Sequence, residues 1–110
     1  MIWKIEFYNE KVEKNIEKWP ENMLAKFAWV SNAIENYGPR EVGMPHVKSL
    51  KQGLFEIRIK SQEGIGRAMF CIKKGKIVVV LSEFIKKTQK TPNSELELAR
   101  KRMNEVKDNE

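Results

Sequence analysis

Residues 54–84 read as three consecutive strands joined by two tight turns, and no other stretch restricts the fold as much. In residues 54–60 the side chains alternate, with Phe55, Ile57 and Ile59 to one side and Glu56, Arg58 and Lys60 to the other. A turn over residues 61–64 leads into an apolar strand over 65–73, and Lys74-Gly75 supplies a tight turn into a third strand over 77–84. Val78 to Leu81 is apolar on both faces, as an interior strand requires. Strands this close in sequence pair antiparallel, and they need helices to cover at least one face.

The flanking segments supply those helices. Residues 2–7 alternate as a half-buried strand with Trp3, Ile5 and Phe7 inward. Asn9 caps a short helix whose Val12, Ile16 and Trp19 share a face. Trp19-Pro20 breaks it, and Pro20 starts a second helix. Met23, Phe27, Val30, Ile34 and Tyr37 then form one packing stripe, which ends at Gly38-Pro39. Residues 40–52, with Gly43, Pro45 and His46, read as a loop. Thr91 serves as the cap of a terminal helix with Pro92 at its first position, Glu95 in its first turn, and Leu96, Ala99, Met103 and Val106 as its apolar stripe. The expected architecture is a single α+β domain over residues 1–110, in the order strand, helix, helix, three antiparallel strands, helix. The helices are expected on one face of the sheet, leaving the opposite face for function.

Charge is concentrated in the strand region. Residues 1–45 hold 6 Lys/Arg against 7 Asp/Glu, whereas residues 46–90 hold 11 against 3, a sharper asymmetry than the whole-chain net charge of +6 conveys. Such a segment favours nucleic acid or an acidic protein, because each neutralised phosphate releases counterions; the plainer alternative is a solvated lysine face. An apolar content of 41% supports a core without metal or disulfide, and the single Cys71 forms no internal bridge and suits a reducing compartment. The opening residues lack the apolar run of a signal peptide and no window approaches a membrane span, so a cytoplasmic, soluble protein is expected.

The residue types narrow the chemistry further. One His, one Cys and no tight carboxylate cluster in the basic half give no recognisable metal-ligand set. His46 has no Ser or Cys in a strand-turn-helix context, so a nucleophilic triad is not indicated. Gly64-Ile65-Gly66 lies in a hairpin and opens no helix, unlike a phosphate loop. Cations remain, and RNA cleavage through the substrate's own 2′-hydroxyl can use them. That reaction needs in-line positioning, stabilisation of the phosphorane and proton transfer, without a metal or a protein nucleophile.

Arginine offers a bidentate phosphate clamp and lysine a point charge. Arg58 and Arg67 fall on adjacent strands, and Lys86 and Lys87 follow the third; a strand sends those two lysines to opposite faces, so one of them faces the site. Arg58 has an alternative in an ion pair with Glu56 or Glu83. Arg67, beside Met69 and Cys71, is more readily explained by function than by solvation. His46 is a general acid or base candidate in a loop where a solvated histidine is the default. Glu83 could orient a group or act as base, or simply partner a lysine, and Cys71 reads as a small core residue.

The run Gly53-Leu54-Phe55-Glu56-Ile57-Arg58, then Gly66-Arg67-Ala68-Met69-Phe70, then Phe84-Ile85-Lys86-Lys87-Thr88-Gln89-Lys90-Thr91-Pro92 with its following helix, resembles the phage-derived, HigB-like toxins of the RelE/ParE superfamily. The resemblance covers almost the whole chain. It implies a RelE-like fold and a ribosome-dependent, metal-independent endoribonuclease that cuts translated mRNA. It implies a HigA-like helix-turn-helix antitoxin as partner, with DNA contacted only indirectly through the antitoxin, no cofactor and no membrane. Carried over by position, Arg58 matches the basic residue that contacts the scissile phosphate, and Arg67 the arginine that stabilises the transition state. Lys86 or Lys87 lies where the family places basic residues after the last strand. Ser82 stands where many relatives have a histidine and no tyrosine follows the Phe-x-Lys-Lys run, so the residue that takes the 2′-hydroxyl proton is left open. A gyrase inhibitor of the ParE kind and a non-catalytic ribosome or RNA binder are the alternatives.

Overall fold

The computed structural model describes residues 2–86 and 90–110. Its elements run β1 (Lys4–Phe7), α1 (Glu10–Glu17), α2 (Glu21–Tyr37), α3 (Pro39–Val42), β2 (Val47–Ser49), β3 (Phe55–Ser61), β4 (Gly64–Lys73), β5 (Ile77–Lys86) and α4 (Asn93–Asp108). The five strands form one sheet in the order β1-β5-β4-β3-β2. β3, β4 and β5 pair antiparallel as expected, while β1 lies parallel to β5, with Lys4 opposite Ile77 and Phe7 opposite Val80. The interior position of β5 explains why Val78 to Leu81 carry no polar side chain: both faces of that strand are covered.

The two faces have separate cores. On one, Val12 and Ile16 of α1, Trp19, and Met23, Phe27, Val30 and Ile34 of α2 pack with Ile57, Ile59, Ala68, Phe70, Val78 and Val80. Burying each of the Val, Ile, Met and Phe side chains among these contributes about 1.5–3 kcal/mol. Asn9 holds the start of α1 as expected, its Oδ1 accepting from the Val12 amide at 2.9 Å. On the other face, Ala99 and Met103 of α4 pack with Leu54, Met69, Cys71, Val79 and Leu81. The terminal helix therefore crosses to the face opposite α1 and α2, and the sheet is covered on both sides. The cause is in the strands: β4 and β5 alternate apolar residues to both faces, and a second apolar face requires its own helix.

Three smaller departures follow from local packing. Tyr37 does not complete the α2 stripe but is 70% exposed, since the ground at the stripe's end is taken by Trp3, whose indole lies against Gly38. Residues 40–52 are not all loop: α3 starts with Pro39 after the positive-φ Gly38, and β2 adds a sheet edge by pairing Val47 to Ser49 with Ile57 to Phe55. Thr91 is not the cap of α4; the helix starts after Pro92 at Asn93, and the Thr91 hydroxyl is used elsewhere.

One irregularity positions the site. Met69 pairs with Ser82 but Phe70 with Val80, so Leu81 is an extra residue on β5. The bulge reverses the strand's alternation. Beyond it, Phe84 comes onto the face of Met69 and Arg67, whereas Glu83 turns to the α1/α2 face, where the Trp19 indole Nε1–H donates to it at 2.9 Å. Lys86, two residues past Phe84, takes the register position on the Arg67 face.

A buried arginine–glutamate cluster at the open end of the sheet

β1 and β2 pair only part of their neighbours, so the end of the sheet carrying Arg58, Arg67 and Phe84 extends past both. Arg58 and Arg67 are direct cross-strand partners on one face. Glu56 precedes Arg58 by two residues and shares that face. Its Oε1 lies 3.3 Å from Arg58 Nε, and its Oε2 lies 3.3 Å from an Arg67 terminal nitrogen. The Arg67 group also donates to Thr91 Oγ1 at 3.0 Å, and the Thr91 hydroxyl in turn donates to Glu56 Oε2 at 2.9 Å. Phe84 closes the cluster, with the Arg67 guanidinium carbon 5.9 Å from the ring centroid.

Burial sorts the two arginines. Arg67 and Glu56 are each 1% exposed, whereas the Arg58 side chain is 12% exposed. The expectation of two arginines displayed together on the sheet face is thus corrected: Arg67 is enclosed by Glu56, Thr91 and Phe84, and Arg58 is the one that reaches solvent. A buried guanidinium is tolerable only with a counter-ion; Glu56 is that counter-ion, and Glu56 and Thr91 together engage one terminal nitrogen of Arg67. Two cations against one carboxylate leave a net positive centre at the mouth.

The remaining candidates fall around this cluster. Lys86 ends β5 on the Arg67 face, half-buried. Lys87 lies outside the described residues. His46 lies on the open edge of β3 next to Arg58: its carbonyl accepts the Arg58 amide at 2.8 Å, and its ring meets Trp29 edge-on with centroids 5.7 Å apart. Cys71 is fully buried and burial pushes its thiol up, so it holds its proton and serves as core. Glu83 is committed to Trp19. Among the described residues no group of three or more His, Cys, Asp or Glu could hold a metal ion, and no helix is long and apolar enough to cross a membrane.

Sequence reasoning missed two members and one neighbour. Glu56 entered only as a possible mate for Arg58, yet it ties both arginines, and its parity with Arg58 was the available signal. Thr91 looked like a cap because it precedes Pro92. Glu95, in the first turn of α4, has its carboxyl raised above the ordinary value, first by burial and then by the Glu83 charge, with Arg102 and Lys86 pulling it back.

The comparisons with known proteins bear on this arrangement. Residues 14–104 match the model of the family described as phage derived protein Gp49-like. The chain belongs to that family. It is a family of RelE/HigB-type toxins. No curated protein matches the chain. Among solved structures, this Gp49-like chain superposes with a TM-score of 0.65 on a double arginine-to-alanine mutant of the E. coli toxin RelE in the free state, at 16% identity over 93% of this chain and 98% of that one. It also matches the archaeal RelE-RelB complex from Pyrococcus horikoshii, with a TM-score of 0.59 and 18% identity over 82% of this chain and 100% of that one. The Gp49-like chain therefore has the RelE fold, and its arginine–glutamate cluster occupies the open end of that sheet.

Proposed function

We propose that this protein is the toxin of a toxin–antitoxin pair, a cytoplasmic endoribonuclease of the HigB kind that cleaves mRNA during translation without a metal ion. The observation that carries this reading is the Arg58–Arg67 cross-strand pair, held by a shared carboxylate at an open, positively charged end of a RelE-like sheet. In the reaction, the 2′-oxygen attacks the adjacent phosphorus and the 5′-oxygen departs with a proton. The products are a 2′,3′-cyclic phosphate and a 5′-hydroxyl end. Arg58, the more exposed arginine, contacts the scissile phosphate. Arg67 adds its charge to the developing phosphorane and fixes Glu56, which in turn aligns Arg58. Lys86, at the end of β5, and Lys87, which follows it in the sequence, add positive charge, and His46, whose carbonyl accepts the Arg58 amide, is the proton-transfer candidate. The ribosome supplies the in-line alignment of the mRNA, so a small set of protein groups suffices.

The RelE-RelB neighbour supports an antitoxin partner, which in this reading is a HigA-like helix-turn-helix protein that carries any DNA binding. Inducing the protein in cells tests the whole reading. The expected result is arrested translation with cuts confined to translated transcripts and relief by the neighbouring antitoxin. Intact mRNA with arrested DNA replication would instead assign a ParE-like gyrase target, and stalled ribosomes with uncut mRNA would assign a non-catalytic binder.

A further inference from the structure

We infer that the cleft along the open edge of β3 is a subsite for one nucleotide of single-stranded RNA, with the base against Trp29 and its phosphate beside Lys26 and Lys60. This deepens the function proposed above and rests on it. The cleft has a volume of about 460 Å³ and lies between α2, the 44–46 segment and β3; drug-sized and nucleotide-sized ligands occupy pockets of about 300–1,000 Å³. Trp29 is 64% exposed and stands outside the buried α2 stripe of Met23, Phe27, Val30 and Ile34, so the core does not account for it. Its indole and the His46 ring meet at 76° and form two walls of a corner, with Met44, 62% exposed, beside them.

Charge selects the occupant. The lining contains Lys26, Arg58 and Lys60 and no carboxylate. An aromatic face ringed by cations is the combination that holds a stacked base and its phosphate. An added protein strand fits the edge poorly, because the Arg58 amide is already bonded to the His46 carbonyl at 2.8 Å and the Lys60 carbonyl accepts from Lys26 Nζ at 2.8 Å. Arg58 belongs to both the cleft and the arginine–glutamate cluster, so a nucleotide held here is the neighbour of the one whose phosphate Arg58 contacts.

The test is binding of a labelled RNA hexanucleotide to the full-length protein without ribosomes, read by fluorescence anisotropy. Trp29→Ala should weaken binding about tenfold or more, the range of one lost base stack, while circular dichroism confirms the fold. Lys60→Ala should reduce the slope of log affinity against log salt by about one. Tyr37→Ala, which removes an exposed aromatic of the same helix outside the cleft, should bind as wild type. No binding by the wild type, or equal binding by Trp29→Ala, would overturn the inference, as would loss of antitoxin capture in Trp29→Ala with RNA binding unchanged. mRNA cleavage on ribosomes is read in parallel. Cleavage without Trp29-dependent binding overturns the subsite alone, whereas Trp29-dependent binding without cleavage upholds it and removes the nuclease.

Discussion

The Glu56 carboxylate and the Arg67 guanidinium meet at 3.3 Å with both side chains 1% exposed, an ion pair fully inside the molecule. The same carboxylate lies 3.3 Å from Arg58. Glu56 therefore holds one arginine inside the molecule and another at its surface, and fold stability and site geometry depend on a single side chain.

Removing that carboxylate should be expensive. Glu56→Ala leaves Arg67 buried without its counter-ion and is expected to lower stability by about 3–5 kcal/mol, measured as a drop in the urea midpoint at unchanged slope. Combining Glu56→Leu with Arg67→Met removes both charges and should recover most of the loss. If the single and double variants are equally unstable, the pair is not coupled.

The Thr91 hydroxyl bridges the two charged groups, accepting from Arg67 at 3.0 Å and donating to Glu56 at 2.9 Å. Thr91→Val keeps the shape and deletes both bonds, for an expected cost of about 1–3 kcal/mol. Thr91→Ser, which keeps the hydroxyl, should stay close to wild type. Were Thr91 acting as a helix cap, Thr91→Asn would be tolerated equally well, which the bridge between Arg67 and Glu56 does not allow.

Gly66 admits α2 to the sheet. A Cβ there would lie 2.6 Å from Met23 Sδ and 2.8 Å from Trp19 Cζ3. Gly66→Ala is expected to destabilise by about 1–3 kcal/mol through overpacking, and to disturb the Trp19 indole that donates to Glu83, visible as a changed near-ultraviolet circular dichroism spectrum.

Glu95 gives the stability curve a sign. Its carboxyl is raised above the ordinary 4.5, so the folded state holds the proton more tightly than the unfolded chain does. The stability this contributes is full below that ordinary value and is lost as pH rises through the raised one. Glu95→Gln mimics the protonated form and should be more stable than wild type at neutral pH, with the gap closing as the pH falls to the ordinary value. Paired urea unfolding series across that range measure it, and a gap that widens on acidification contradicts the assignment.

The strands and helices were legible because their apolar residues repeat with periods that burial enforces. Asn9, the α2 stripe through Ile34 and the hairpin of β3 and β4 all follow from spacing alone. What spacing could not carry was the Leu81 bulge, a single extra residue with no compositional mark. It reverses the faces of Glu83 and Phe84, so a strict alternation misplaces the carboxylate and misses the aromatic ring over Arg67. The second face of the sheet was similarly concealed, since Ala68 to Ile72 and Ile77 to Leu81 read as unbroken apolar runs, and the helix that covers their second face lies much later in the chain. Arg58 and Arg67 were found as a pair, but their burial depends on Glu56 and Thr91, which come together only through tertiary packing.

In the proposed reaction Arg58 contacts a phosphate at this end of the sheet. Purified protein added to ribosomes translating a defined mRNA, with cut sites mapped by primer extension, tests it most directly, using Arg58→Ala in parallel because its side chain reaches solvent and Glu56 retains Arg67 as partner. The expected result is cuts in the translated mRNA by the wild type and about a hundredfold or greater loss of cleavage rate in a folded Arg58→Ala protein. Uncut mRNA with the wild type, or full cleavage by Arg58→Ala, would contradict it.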